Sequence, residues 1–153
     1  FRRVLFRSVK DYVQFVLTFE ELMGIFVAKD IELSEIEVDK EIQDASTLGR
    51  GYAVAGGVAE AVKKTAQLLD PLREINVECA SDLHDCVRLM RLAKAGKKNN
   101  YLLEGMACPG GCIAGPGTLA SADRVKKSVM EFKNQSVYKN PLENDIIDDE
   151  LRH

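Results

Sequence analysis

The sequence predicts an α/β fold with a mainly parallel sheet and flanking helices. Three short stretches are predicted to be strands: Tyr12–Leu17, which is rich in β-branched and aromatic residues, Ile75–Cys79 and Tyr101–Glu104. Between them lie longer stretches in which apolar residues recur at helical spacing. Strands that alternate with helices indicate a layered fold in which most strand pairs are parallel.

The first helix is predicted directly after the first strand. Thr18 and Glu21 have the spacing of a capping box, in which each side chain satisfies a backbone N–H group of the other residue. The apolar residues of this helix are Leu22, Met23, Ile25 and Phe26. The acidic stretch 31–48 that follows is predicted to be a connector and is assigned no regular structure.

A second helix is predicted to begin at the pair Gly56-Gly57 and to run to about Leu69. Pro71 stops it, because proline cannot continue the helical hydrogen bonding. The glycine pair has two interpretations. Free N–H groups at the positive end of the helix would suit an anionic cluster, whereas small residues there would equally suit close packing of the helix on the sheet. The positions at helical spacing are Val58, Ala61, Val62, Thr65 and Leu69.

Two further helices flank the strand Tyr101–Glu104. Ser81 is the predicted cap of the first, which runs through Leu92 and ends near Gly96. Its predicted inward residues are Leu83, Val87 and Met90. The last helix is predicted over about Ser121–Asn134. Its predicted buried residues are Val125, Val129 and Phe132.

The most informative segment for function is the loop at 104–117, which reads Glu-Gly-Met-Ala-Cys-Pro-Gly-Gly-Cys-Ile-Ala-Gly-Pro-Gly. It separates two thiols, Cys108 and Cys112, by three residues in a stretch with little side-chain bulk. Cysteine thiolates are the usual protein ligands of iron–sulfur clusters, and glycines allow the backbone to approach a ligand closely. Met106 adds a polarizable thioether. Because the loop follows a strand, it lies where α/β folds bind ligands, and it predicts a metal or cluster site.

The residues alone leave other interpretations of these thiols open. Free cysteines are often small buried hydrophobes, a disulfide would fit an oxidising compartment, and a zinc site would require a second Cys or His pair. Cys79 and Cys86 are predicted to be buried structural residues. His84, which lies near Asp82 and Asp85, is predicted to be a solvated surface group.

The loop and two upstream segments resemble the iron-only ([FeFe]) hydrogenase family. The stretch 106–112 (Met-Ala-Cys-Pro-Gly-Gly-Cys) is similar to the last of the three motifs that hold the family's hydrogen-converting cluster. Gly49–Val62 resembles the family's aromatic-to-Gly-Gly-Val-x-Glu-Ala segment, and Val16–Leu22 resembles the strand-to-helix stretch before it. The resemblance covers about residues 11–140 and implies one half of the catalytic domain.

The resemblance also implies a cofactor and a role for each matched residue. In the family, a [4Fe–4S] cubane is joined through a bridging cysteine to a two-iron subcluster with CO, cyanide and azadithiolate; together they form the H-cluster. Cys108 matches the cubane ligand, and Cys112 matches the bridging ligand. Met106 matches a methionine beside the two-iron unit and, with Cys112, forms the implied catalytic site. The matched pocket residues are Tyr52, Ala53 and Val58, where the family more often has Phe and Gly at the first two.

The chain departs from the family in two respects. Motifs of the types Thr-Ser-Cys-Cys-Pro and Met-Pro-Cys-x-x-Lys, which hold the other two cluster cysteines, do not occur. After Cys112 the chain has Ala114-Gly-Pro-Gly-Thr118, where better-known members have Gly-Gly-Gly-Gln. We therefore expect the C-terminal part of a hydrogenase that reversibly reduces protons to hydrogen, with the isolated part inactive.

The resemblance further implies two partners, namely the rest of the same hydrogenase chain and a ferredoxin or similar electron carrier. Two alternatives remain open at this point. One is a non-catalytic hydrogenase-like sensor or iron–sulfur assembly protein, and the other is a small dithiol or zinc-binding module.

Composition narrows the classes of function. The formal net charge of −3 and the lack of basic clusters argue against nucleic-acid binding. No apolar run approaches the roughly 20 residues that a membrane span requires. The four cysteines occur without a recognisable secretory leader, which favours a reducing compartment, and we expect a cytoplasmic protein.

The chain is predicted to divide into three parts. Residues 1–8 contain Val4-Leu-Phe-Arg-Ser8, which resembles the translation of a sequencing-adapter tail, so we expect them to lie outside the fold. Residues 9–140 form the C-terminal part of the hydrogenase catalytic domain. Residues 141–153 form an acidic tail.

Overall fold

The computed structural model of the chain describes residues 12–13, 15–37 and 44–144. These residues divide into two compact units. The first contains the described residues up to 37 together with Pro116–Leu119, and the second contains 44–115 and 120–144. Residues 1–8 and most of 141–153 lie outside the described residues, so the predicted three-part division stays a prediction.

The first unit is built around helix α1, Phe19–Ala28. The predicted capping box is confirmed: the Thr18 N–H donates to the Glu21 carboxylate at 2.9 Å, and the Glu21 N–H donates to the Thr18 hydroxyl at 3.2 Å. The Glu20 N–H donates to the Gly117 carbonyl at 3.2 Å, which joins the segment Pro116–Leu119 to this unit. A 3-10 turn at Leu33–Glu35 lies within the predicted connector.

The prediction of a strand at Tyr12–Leu17 is wrong for the described residues of that range, which are turn and irregular backbone. A strand needs a neighbour with which to pair its backbone groups, and the described chain contains one sheet that does not include this segment. Tyr12 and Phe15 are 86% and 83% exposed. High intrinsic strand propensity is therefore not realised where no second strand lies alongside.

The second unit contains a two-stranded parallel sheet, which confirms the predicted α/β class. Strand β1, Asn76–Ala80, pairs with strand β2, Tyr101–Gly105, and Asn76 lies opposite Tyr101 in the register. Both strands lie within one residue of their predicted positions. The strands have helices α3 and α4 packed against them, and the crossover between them is a helix, as parallel pairing requires.

Four helices belong to this unit: α2 (Thr47–Arg50), α3 (Gly57–Leu69), α4 (Leu83–Lys94) and α5 (Ala122–Asn134). Helix α3 packs on both strands, α4 packs on β1, and α2 packs on α3 and α5. The predicted start and end of α3 are confirmed. The cap of α4 is Asp82, not the predicted Ser81, and its carboxylate accepts the Asp85 N–H at 2.7 Å. The buried apolar residues are small or medium in size: Leu48, Ala59, Ala61, Ala80, Leu89 and Ile113.

The predicted inward face of α4 is wrong. Leu83 and Met90 are 67% and 72% exposed, and Val87 is also exposed, whereas Leu89 is 3% exposed. The stripe that faces β1 contains Cys86 and Leu89, which are three residues apart and share a helix face. The apolar residues of α4 occupy two stripes, and periodicity alone does not show which one the sheet covers.

The burial predicted for α5 is only partly realised. Val125 and Val129 are half-buried, but Phe132 is exposed and its ring lies 4.1 Å beneath the Arg50 guanidinium group. The Arg50 side chain also donates to the Phe132 carbonyl at 2.9 Å. These contacts attach α2 to α5. Among the described residues, no helix combines the length and apolar character needed to cross a membrane.

Candidate functional site

The cysteine loop, residues 106–114, begins where β2 ends, as the sequence predicts. The Met106 N–H donates to the Ala80 carbonyl at 2.8 Å, which ties the start of the loop to the end of β1. The Gly111 N–H donates to the Cys108 carbonyl at 2.9 Å and closes a turn between the two thiols. Cys112 then opens a 3-10 turn, Cys112–Ala114, on which α5 packs. A backbone bond to β1 thus holds the start of the loop, and the packing of α5 holds its end.

A second segment, residues 51–57, is bonded directly to the cysteine loop. The Ala55 N–H donates to the Gly110 carbonyl at 3.0 Å, and the Ile113 N–H donates to the Ala53 carbonyl at 3.3 Å. Val54 and Gly111 form an isolated antiparallel bridge between these contacts. We call the two bonded segments, 51–57 and 106–114, the loop pair. It brings two of the three segments that carry the family resemblance into contact.

Gly111 is the residue that allows the loop pair to close. Its φ of +100° is a conformation that favours glycine. A Cβ atom at this position would lie 2.6 Å from both the Ala53 carbonyl oxygen and the Ala55 nitrogen, which are backbone atoms that cannot rotate away. Only glycine therefore fits here, and the glycine content of the motif has a structural cause.

The predicted ligand thiols are both free. Cys108 is half-buried and Cys112 is exposed, on either side of the Gly110-Gly111 turn. Of the other predicted site residues, Met106 and Ala53 are half-buried within the loop pair and Tyr52 is exposed there. Val58 is half-buried in the first turn of α3. The structure therefore places all six predicted residues on the loop pair or next to it, and their roles stay predictions.

The start of α3 has a bonding partner that the sequence did not suggest. The Glu104 carboxylate accepts the Gly56 N–H and the Ala59 N–H, each at 2.7 Å, so both of its oxygens are used. A Cβ atom on Gly57 would lie 2.0 Å from the Gly51 carbonyl oxygen. These contacts favour close packing over an anion site as the reason for the glycine pair, since two of the amides there are already paired.

One sequence signal could have shown that α3 is capped by a carboxylate from elsewhere in the chain. Gly56 occupies the N-cap position of α3 and has no side chain with which to cap the helix. A carboxylate from elsewhere in the chain is therefore the natural partner for the positive end of α3. Finding which carboxylate it is requires the pairing of β2 with β1, which sequence alone does not give.

The other two cysteines lie outside the loop pair. The prediction that Cys79 is buried is wrong, because it is exposed on β1, in register with Glu104. Partial desolvation of the thiol raises the pKa of Cys79, and the carboxylates of Glu104 and Glu78 raise it further. Cys86 is half-buried, as its structural role predicts. Its thiol donates to the Met106 carbonyl at 3.6 Å, beneath the start of the cysteine loop.

Whether an iron–sulfur cluster fits depends on how many ligand side chains lie close together. Within the described residues, which include all four cysteines, one group of three possible metal ligands lies within 4.8 Å, and it is Asp82, His84 and Asp85. Asp82 is already the cap of α4 and His84 is exposed, in agreement with a solvated surface group. No three thiols converge in the described part of the chain. Cys108 and Cys112 thus fit as part of the ligand set of an iron–sulfur cluster, which takes four cysteine thiolates when it is complete.

Comparison with known proteins identifies the family. The family model described as iron only hydrogenase large subunit, C-terminal domain, matches residues 3–116, about three quarters of the chain. This range includes the whole loop pair and Glu104. No curated protein matches the chain. Because the match covers far more than half of the sequence and contains the complete cysteine loop, the chain belongs to the family of C-terminal domains of iron-only hydrogenase large subunits.

Proposed function

We propose that Cys108 and Cys112 are thiolate ligands of an iron–sulfur H-cluster in a hydrogenase. The observation that supports this most strongly is the loop pair. Two segments that are more than 40 residues apart in the chain are bonded to each other, with both free thiols on one segment and Tyr52 and Ala53 on the other. A solvated dithiol loop would not need this second segment.

The two thiols supply half of the four cysteine ligands, and the rest of the hydrogenase chain supplies the others. By the family resemblance, Cys108 would serve as the cubane ligand and Cys112 as the bridging ligand. When bound, the cluster would relay electrons from the carrier and would provide the iron chemistry that reduces protons to hydrogen. The protein contributes ligation, hydrogen bonds to the sulfurs and control of water access.

The residues of this chain have separate tasks in that arrangement. Gly110 and Gly111 leave two of the three positions between the thiols without a side chain, so the loop can lie close to a cluster. Met106 offers a soft thioether next to it. Tyr52 and Ala53 on the segment 51–57, together with Val58 in the first turn of α3, would line the cluster pocket. The full-length protein receives electrons from a ferredoxin-like carrier in the cytoplasm, and the part described by this sequence is inactive in isolation because half of the ligands are missing.

Anaerobic reconstitution of the chain with iron, sulfide and excess 2-mercaptoethanol tests the ligand assignment. The small thiol replaces the two missing thiolates, so a cubane needs only two ligands from the protein. We expect about four iron atoms per chain and the broad visible absorbance of a [4Fe–4S] cluster. The double variant Cys108→Ser/Cys112→Ser should lose both signals.

The matched control is Cys79→Ser/Cys86→Ser, which also removes two thiols and should bind as much iron as the parent chain. Equal loss in both double variants, or none in either, would contradict the assignment. Stoichiometric zinc uptake without cluster absorbance would favour the small zinc module instead.

A further inference from the structure

Glu104 connects the two segments of the loop pair at their other end. It is the fourth residue of β2, two positions before Met106 and four before Cys108. Its carboxylate bonds to Gly56 and Ala59, which lie at the point where the segment 51–57 becomes α3. The backbone bonds from Ala55 to Gly110 and from Ile113 to Ala53 join the same two segments further along.

These contacts close a ring made of the backbone and its hydrogen bonds. The path runs along the cysteine loop from Glu104 to Gly110, crosses to Ala55, continues to Gly56 and returns through the carboxylate to Glu104. Because both ends are fixed, neither segment can slide along the other without breaking a bond to the carboxylate. We propose that Glu104 is a positioning residue that fixes the cysteine loop against the segment carrying Tyr52 and Ala53. This inference rests on the proposed function of the loop.

The chemistry of the contact requires a carboxylate. Glu104 is half-buried and lies at the positive end of α3, so its two bonds are charge-assisted and stronger than bonds between neutral groups. An amide has a single oxygen, and its NH₂ group would face one of the two N–H donors. Glu104→Gln therefore keeps one bond at most, and it leaves the size of the side chain almost unchanged.

Glu78 provides a matched control on the same sheet. It lies on β1 opposite Leu103, one position from the register pair of Cys79 and Glu104, and so faces the other side of the sheet. Its carboxylate pairs with Lys98 and, at 3.9 Å, with Arg88. Glu78→Gln removes the same charge from the same sheet without touching the start of α3.

The test is amide hydrogen exchange of the metal-free chain, combined with the alkylation rate of each cysteine. We expect Glu104→Gln to speed exchange about tenfold at Ala55, Gly56, Ala59 and Ile113, and to raise the alkylation rates of Cys108 and Cys112 relative to Cys86. Glu78→Gln should leave these amides and thiols as they are in the parent chain. Neither measurement requires iron, so a failure of this proposal can be distinguished from a failure of the chain to bind a cluster.

Two results would overturn the proposal. If exchange rises at Gly56 and Ala59 while Ile113 and both loop thiols keep their parent rates, Glu104 only caps the helix. If both glutamate variants speed exchange equally in every segment, the effect is general loss of stability. Should Glu104→Gln fail to fold, Glu104→Asp keeps the charge with a shorter reach. The same pattern with a smaller rise would then support the proposal, and a uniform rise would overturn it.

Discussion

Two regions of the second unit use opposite kinds of structure. The loop pair is built from small residues joined by backbone bonds, and a single added carbon at Gly111 would collide with two backbone atoms. The outer face of α4, formed by Leu83, Val87 and Met90, carries large apolar side chains that remain exposed. The loop pair is held by backbone hydrogen bonds and close approach with little apolar burial. The outer face of α4 has apolar surface that the described residues leave largely uncovered.

This difference shows that internal contacts fix the loop pair but not the outer face of α4. Backbone bonds and close approach determine the position of the loop pair, so a small change there should have a large effect. The outer face of α4 makes few internal contacts, so even the removal of a large side chain should cost little in the chain as it stands. Substitutions in the two regions can therefore be ranked in advance, from the largest expected effect to the smallest.

Gly111→Ala should have the largest effect. The positive φ and the 2.6 Å approaches together are expected to lower the free energy of unfolding by about 3 kcal/mol or more, and to separate the loop pair. Gly110→Ala is the control, since Gly110 has a φ of +87° but a Cβ there would lie 4.0 Å from its nearest neighbour. It should cost about 1 kcal/mol. Chemical denaturation measures both, and equal costs would contradict this ranking.

Leu89→Ala on the sheet side of α4 should come next. Its side chain is 3% exposed, and deleting it leaves a cavity against β1, for which we expect a loss of about 2–4 kcal/mol. Met90→Ala, the adjacent residue on the outer face, should change stability by less than about 0.5 kcal/mol. Thermal unfolding of the two variants tests the assignment of faces. A larger loss of stability for Met90→Ala than for Leu89→Ala would contradict this assignment and favour the inward face predicted from periodicity.

Glu60→Gln should have the smallest effect, and one that depends on pH. The Glu60 carboxylate on α3 accepts hydrogen bonds from Lys64 at 2.6 Å and from Lys133 of α5 at 2.9 Å, and these bonds lower the pKa of Glu60. Because the side chains are partly exposed, we expect a loss below about 1 kcal/mol at neutral pH.

The sign of the pH dependence follows from the lowered pKa of Glu60. The carboxylate stabilises the fold above the pKa that it has in the unfolded chain, and this contribution disappears as the pH falls through the lower folded-state pKa. The difference between parent and variant in urea titrations should therefore shrink as the pH is lowered from neutral into the acid range. Glu131→Gln, an exposed carboxylate on α5, is the control, and a difference that grows on acidification would refute the assignment.

Sequence predicts the local elements of this chain well because their causes are local. The capping box at Thr18 and Glu21, the glycine start of α3 and the strand at Tyr101 each depend on a few neighbouring residues. The loop residues alone indicate a metal or cluster site, but the role of each residue could be predicted only through the family resemblance, because two thiols in a glycine loop fit several chemistries.

The features that sequence missed depend on tertiary contacts. The buried stripe of α4 is decided by where β1 lies, and the exposure of Tyr12 and Phe15 by the absence of a paired strand in the described chain. The capping of α3 by Glu104 requires β1 and β2 to pair in one particular register. Each of these features depends on residues that lie far apart in the sequence.

The most direct test of the central claim, that the cysteine loop holds an iron–sulfur group, is a cysteine-resolved alkylation experiment. The chain is labelled before and after anaerobic reconstitution with iron, sulfide and 2-mercaptoethanol, and mass spectrometry gives the rate at each thiol. We expect Cys108 and Cys112 to become protected from alkylation about tenfold or more, while Cys79 and Cys86 keep their original rates. Bound iron with unchanged rates at Cys108 and Cys112 would contradict it.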